Sequence, residues 1–109
     1  MLRKTLLIIA TGFPLASSAS EMPRYDVEAQ CKQIASMGGN TSAVMLNSCM
    51  DMEQKAYNNL KASWNEIPEN TQRQCHEVAS IGGNGSYTML ESCIEMETQA
   101  AEKPKKFEY

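Results

Sequence analysis

The chain has 109 residues, with thirteen Asp plus Glu against ten Lys plus Arg, four cysteines, eight methionines and one histidine. That length supports one domain, and the acidic balance lacks the clustered positive charge that binding to nucleic acid needs. So small a domain hides a limited share of its surface, which is why exported chains of this size lean on covalent cross-links; an even cysteine count then reads as two disulfides, with three connectivities open.

In chain order, the first segment is MLRKTLLIIATGFPLASSAS. Arg3 and Lys4 precede an apolar run from Leu6 to Ala16 that ends in small residues, the layout of a secretory signal peptide cut after Ala19. Gly12 and Pro14 interrupt the run, which falls short of the roughly 20 apolar residues of a spanning helix, so a permanent membrane anchor is not expected. No cysteine stands at the cut, which argues against a lipid anchor. Residues 1–19 are therefore read as a leader and 20–103 as the folded domain. Arg3 and Lys4 leave with the leader, so eight cations face thirteen acids, a net charge of −5.

The first helix is expected where Val27, Cys31, Ile34 and Ala35 recur at helical spacing, after an opening at Met22-Pro23. Gly38-Gly39 supplies the backbone geometry that ends helices, and Asn40 and Ser42 are expected to cap the next one. That second helix places Met45, Cys49, Met52 and Ala56 on one face and runs through Tyr57 and Leu60 to Trp64. It should stop before Ile67-Pro68, because Pro68 lacks an N–H and restricts the residue before it.

A third helix then begins near Pro68 or Asn70, and the pattern starts again. Shifting by 44 residues places Cys31 on Cys75 and Cys49 on Cys93, and 14 of the 26 positions from 31 to 56 are identical to those from 75 to 100. ASMGGN at Ala35 becomes ASIGGN at Ala79, so Gly82, Gly83, Asn84 and Ser86 are expected to repeat the turn of Gly38, Gly39, Asn40 and Ser42. Two copies fall below the three or so that a stacked array needs, which favours a compact duplicated bundle. The hairpin copies are read as about 23–64 and 68–102. Residues 104–109, polar and opening on Pro104, read as a frayed tail.

Cys31 lies seven residues before Gly38 and Cys49 seven after Ser42, so in an antiparallel hairpin both sit roughly 10 Å from the turn. The same holds for Cys75 and Cys93. The expected bonds are Cys31–Cys49 and Cys75–Cys93, each closing its own hairpin and each stabilising by roughly 3 kcal/mol in the chain-entropy account. The fold class follows: all-α, two disulfide-closed antiparallel helical hairpins in a compact, internally duplicated four-helix arrangement, packed with pseudo-two-fold symmetry.

The chemistry-bearing residues are few. Thioethers at Met45, Met89, Met52 and Met96 suit a soft ion such as Cu(I), against the plainer reading of methionine as adaptable core filler. His76 follows Cys75, but its counterpart Lys32 is no ligand, so no metal is expected. The cysteines lack the two-residue spacing of dithiol catalysts and no serine has a partner base, so no cofactor or enzymatic activity is expected. Glu53, Glu95 and Glu97 read as solvated helix charge. Tyr57, Trp64 and Tyr87 are the aromatic residues to watch as an interface, with Trp64 better suited to filling the gap between hairpins.

The tandem phrase C-x3-A-S-[MI]-G-G-N-x-S-x3-L-x-S-C-x2-M-E, at Cys31 to Glu53 and Cys75 to Glu97, resembles that of small exported bacterial proteins of unassigned function built from one or two such units. The resemblance covers about half the chain and implies export and paired cysteines, with no activity attached. Twin-cysteine mitochondrial hairpins are a poorer match, since they carry two cysteines per helix and this chain carries one. The expectation is a periplasmic or secreted, non-catalytic binding or structural protein with a protein partner in the envelope. An envelope-stress or acid chaperone and a copper-binding protein stand as alternatives.

Overall fold

The computed structural model describes residues 21–109, so the expected leader at 1–19 lies outside the described residues. Four α-helices follow in order: α1 Val27–Ala35, α2 Ala43–Ser63, α3 Glu69–Ala79 and α4 Tyr87–Glu102; there is no strand among the described residues. Helix α1 packs on α2, α3 on α4, and α2 on α4. The fold is therefore the all-α pair of hairpins expected, with Cys31–Cys49 and Cys75–Cys93 both formed at Cα separations of 5.6 and 5.5 Å.

Local signals account for most helix ends. The Asp26 carboxylate accepts from the Ala29 N–H at 3.1 Å, satisfying one of the free donors of α1, and Glu28 adds negative charge in its first turn. At the reversal the Gly39 N–H donates to the Ser36 carbonyl and the Gly83 N–H to the Ser80 carbonyl, both at 2.9 Å. Gly39 and Gly83 take φ of +109° and +100°, which a side chain resists, whereas Gly38 and Gly82 do not enter that region. Of the expected caps, Ser42 and Ser86 accept from the N–H groups of Met45 and Met89 at 3.2 Å. Asn40 and Asn84 are not the caps; the Asn84 amide instead reaches Gln33 across the hairpins at 3.3 Å.

The junction between copies adds a short 3-10 turn, Trp64–Glu66, before Pro68. Gln72, buried, donates to the Trp64 carbonyl at 2.8 Å and so satisfies a polar group at the end of α2. Whereas α3 starts straight after Pro68, residues 21–26 take no regular structure, and α1 begins only at Val27. The cause is tertiary. The backbone of Tyr25 and Asp26 is engaged by the second copy, through Tyr25 N–H to the Tyr87 hydroxyl at 2.9 Å and Asp26 N–H to the Asn84 carbonyl at 3.2 Å. Past Glu102 the chain is exposed and has no regular structure.

The core joins Ala56 and Leu60 of the second half of α2, and Trp64 just past its end, to Cys75, Ala79, Tyr87, Leu90 and Ile94 of the second hairpin. The copies do not meet with two-fold symmetry. Glu53 touches Ser86, Tyr87 and Thr88, and Asn59 touches Glu91, so contacts advance along α2 and α4 in the same sense. A two-fold would also bring Glu97 to residues 42–44, but Glu97 is exposed. The interface is heterologous: a patch on one copy covers a different patch on the other.

Candidate functional site

Two arrangements gather the polar and apolar chemistry of the molecule. The first is a polar joint between the hairpins. Glu53, expected in solvent, is 4% exposed. Its Oε1 accepts from the Tyr87 N–H at 2.6 Å, and its Oε2 accepts from the hydroxyls of Ser86 and Thr88 at 2.8 Å and from the Thr88 N–H at 3.5 Å. The carboxylate of one copy therefore closes the N-terminus of α4 in the other, where free N–H groups and the helix dipole both favour negative charge.

Tyr25 completes the joint. Its ring lies over Gly85, where an added Cβ would collide with the ring atoms, and Gly85 takes φ of +89°. Nearly parallel to the His76 ring, at 3° and 5.7 Å between centroids, Tyr25 shares a hydrogen bond of 2.8 Å between its hydroxyl and His76 Nδ1. The Ser80 hydroxyl stands 3.4 Å from the same nitrogen. The Tyr87 hydroxyl donates to the Pro23 carbonyl at 2.7 Å, tying down the segment that carries Tyr25. Burial pushes the Tyr25 hydroxyl up to about 12, with the Ser80 hydroxyl pulling the other way. Burial also raises Tyr87, opposed by its bond from the Tyr25 backbone.

These contacts settle where the expected aromatic interface lies. Tyr87 and Trp64, at 4% and 6% exposure, are core residues, while half-buried Tyr57 sets its ring edge-on to Tyr87 at 5.0 Å. The three do not form a solvent-facing surface. Burying large rings between hairpins is what a core this small requires. His76 is committed to Tyr25, and among the described residues no group of three or more His, Cys, Asp or Glu is placed to hold a metal. Every cysteine is in a disulfide, so none is available as a ligand or nucleophile.

The second arrangement is a groove of about 460 Å³ beside the joint, lined in part by Glu53 itself. Ile34 of α1, Val44, Met45 and Met52 of α2, and Met89 of α4 line it, with Gln30, Ser48, Ser86 and Thr88 as its polar points. Its methionines are not filler: Met45, Met52 and Met89 are 48%, 59% and 45% exposed. Their spacing derives from the sequence, since positions 45 and 52 fall two turns apart on one helix face. What the repeat alone could not show is that α4 is offset along α2, bringing Met89 of the second copy into one groove with Met45 and Met52 of the first. The signals for the polar joint were Gly85 in place of Thr41 and Tyr87 in place of Ala43, two departures within an otherwise repeated turn.

No protein-family profile, curated protein or solved structure matches the chain. No helix among the described residues is long and apolar enough to cross a membrane.

Proposed function

We propose that the protein is an exported, non-catalytic binding module that holds an apolar segment of a partner protein in its methionine-lined groove. The single observation that carries this reading is the exposure of Met45, Met52 and Met89 together, at 48%, 59% and 45%, in one groove. Contiguous apolar surface left open on a small domain marks an interaction site, and unbranched, polarisable methionine adapts to the shape of what it meets. Export is supported by the leader-like residues 1–19 and by two disulfides, which persist in oxidising compartments. The polar joint serves the module by holding the two groove walls, α2 and α4, in register.

The test is binding of the apolar fluorophore anilinonaphthalene sulfonate to the wild type and to Met45→Ser/Met52→Ser/Met89→Ser. All three side chains are about half exposed and lie outside the core cluster, so the variant should remain folded with a modestly lowered Tm while losing at least fivefold of the bound fluorescence. Equal fluorescence would reject the groove. The chaperone alternative uses the same surface and predicts suppressed aggregation of an acid-denatured client, rising on acidification. The copper alternative is favoured by Met45 and Met89 lining one groove, and predicts Cu(I) uptake that falls when both are replaced. Against it, Met45 and Met52 stand roughly 10 Å apart along α2, so one ion does not reach both without distortion.

A further inference from the structure

The methionine repeat extends beyond the groove, whose lining ends at Met89. Glu53 Oε2 meets the Thr88 hydroxyl at 2.8 Å, Met45 lies eight residues before Glu53, and Met96 lies eight after Thr88. Because α2 and α4 run in the same sense, Met45, Met52, Met89 and Met96 string over roughly 25 Å. Met45 and Met52 recur as Met89 and Met96 in the second copy, although all four are 45% to 67% exposed and core packing does not require them to match.

The rim has a sign. Asp51 falls two turns beyond the groove residue Val44 on α2, and Glu95 two turns beyond the groove residue Thr88 on α4, so the two acids flank the stripe on corresponding sides of the repeat. Glu91 adds a third acid, held by the Asn59 amide at 3.0 Å. Lys55, two turns beyond Ser48, opposes them singly, and on α1 Glu28 and Lys32 neutralise each other at 3.6 Å.

Resting on the groove reading, we infer that the partner segment is a cationic amphipathic helix, laid along the four methionines with its basic residues beside Asp51 and Glu95. The walls decide between backbone forms. The walls are helices and carry no strand edge, so an extended segment would find none to pair with and would set its bare N–H and C=O groups against thioethers. A helix brings only side chains to the stripe. The rim decides between a foreign helix and a second copy of this chain, because self-association along the stripe would crowd Asp51 and Glu95 of two acidic molecules.

The experiment uses the oxidised, leader-free chain and a labelled peptide of about 18 residues, about 27 Å of helix, with leucine on one face and lysine beside it. Fluorescence anisotropy should show saturable binding that weakens with added salt. A glutamate-for-lysine version of the peptide should bind at least tenfold more weakly. Asp51→Lys/Glu95→Lys should lose at least fivefold for the lysine peptide and gain for the glutamate one, with unchanged melting. If both peptides bind alike, or charge reversal changes nothing, the cationic partner is rejected while the groove reading stands. Should Met45→Ser/Met52→Ser/Met89→Ser bind the lysine peptide like the parent, both fall. A methionine-dependent dimer in sedimentation would install a second copy as the occupant and overturn the inference.

Discussion

Replacing Glu53 with alanine isolates the joint between the hairpins, and the chain provides its own control in Glu97, the same residue 44 positions on. In the folded protein the Glu53 carboxylate is 4% exposed and accepts four hydrogen bonds. Truncation leaves the Tyr87 N–H without that acceptor, at about 1–3 kcal/mol for a group left unsatisfied, while the Ser86 and Thr88 hydroxyls lose one partner each and keep one another at 2.8 Å. It also removes a negative charge from a helix N-terminus, worth about 0.3–1 kcal/mol and up to 2 where partly buried. Relief from desolvating the carboxylate opposes these losses, and the Ser86 hydroxyl retains other partners within 2.8–3.2 Å. The net expected cost is about 3 kcal/mol, which for a domain of this size lowers Tm by about 12–24 °C. Glu97→Ala, at an exposed position, should stay within about 0.5 kcal/mol. Glu53→Gln keeps one oxygen acceptor and should fall between, at about 1–2 kcal/mol. Urea unfolding followed by circular dichroism, with disulfides intact, measures all three. Equal stability of the Glu53→Ala and Glu97→Ala proteins would refute the joint, and with it the claim that α2 holds α4 through this carboxylate.

Gly85→Ala should cost about 2–4 kcal/mol, from φ of +89° and from the collision with the Tyr25 ring. In a Tyr25→Ala background the penalty should shrink to about 1–2 kcal/mol, and a double-mutant cycle without coupling would contradict the contact. At the first reversal, Gly39→Ala should destabilise by about 1–3 kcal/mol through its φ of +109°, while Gly38→Ala, with open space and no positive φ, should be near neutral; the reverse order in chemical denaturation would reject the turn geometry. Alkaline titration has a definite sign. The Tyr25 hydroxyl sits at about 12 in the fold against 10 unfolded, so its neutral form is favoured by folding, its contribution is intact below pH 10, and it is lost as pH rises toward 12. Tyrosinate absorbance with parallel urea melts should show the wild type losing more stability over that window than Tyr25→Phe, and equal losses would refute the assignment.

Much of this architecture is legible in the sequence. Helical spacing, the Gly-Gly turns and the 44-residue shift determine two hairpins, and with them the disulfide partners, because cysteines equidistant from a turn on antiparallel helices must face each other. Ser42 and Ser86 as caps follow from the same local logic. These features involve residues within about 18 positions of each other, where helix geometry leaves little choice.

How the hairpins dock was not legible, because helical periodicity says which face is apolar and nothing about axial offset against a neighbour. That offset decided the rest. It carried Glu53 out of solvent to the N-terminus of α4 while leaving its twin Glu97 exposed, placed Tyr87 in the core rather than on a surface, and tied residues 23–26 to the second copy. It also left the methionine stripe uncovered, since α2 gives its apolar second half to the core and presents Met45 and Met52 beside Met89. A repeated sequence determines equivalent hairpins. Only a heterologous tertiary contact makes identical residues in the two copies inequivalent, because each copy buries a different patch of the same surface.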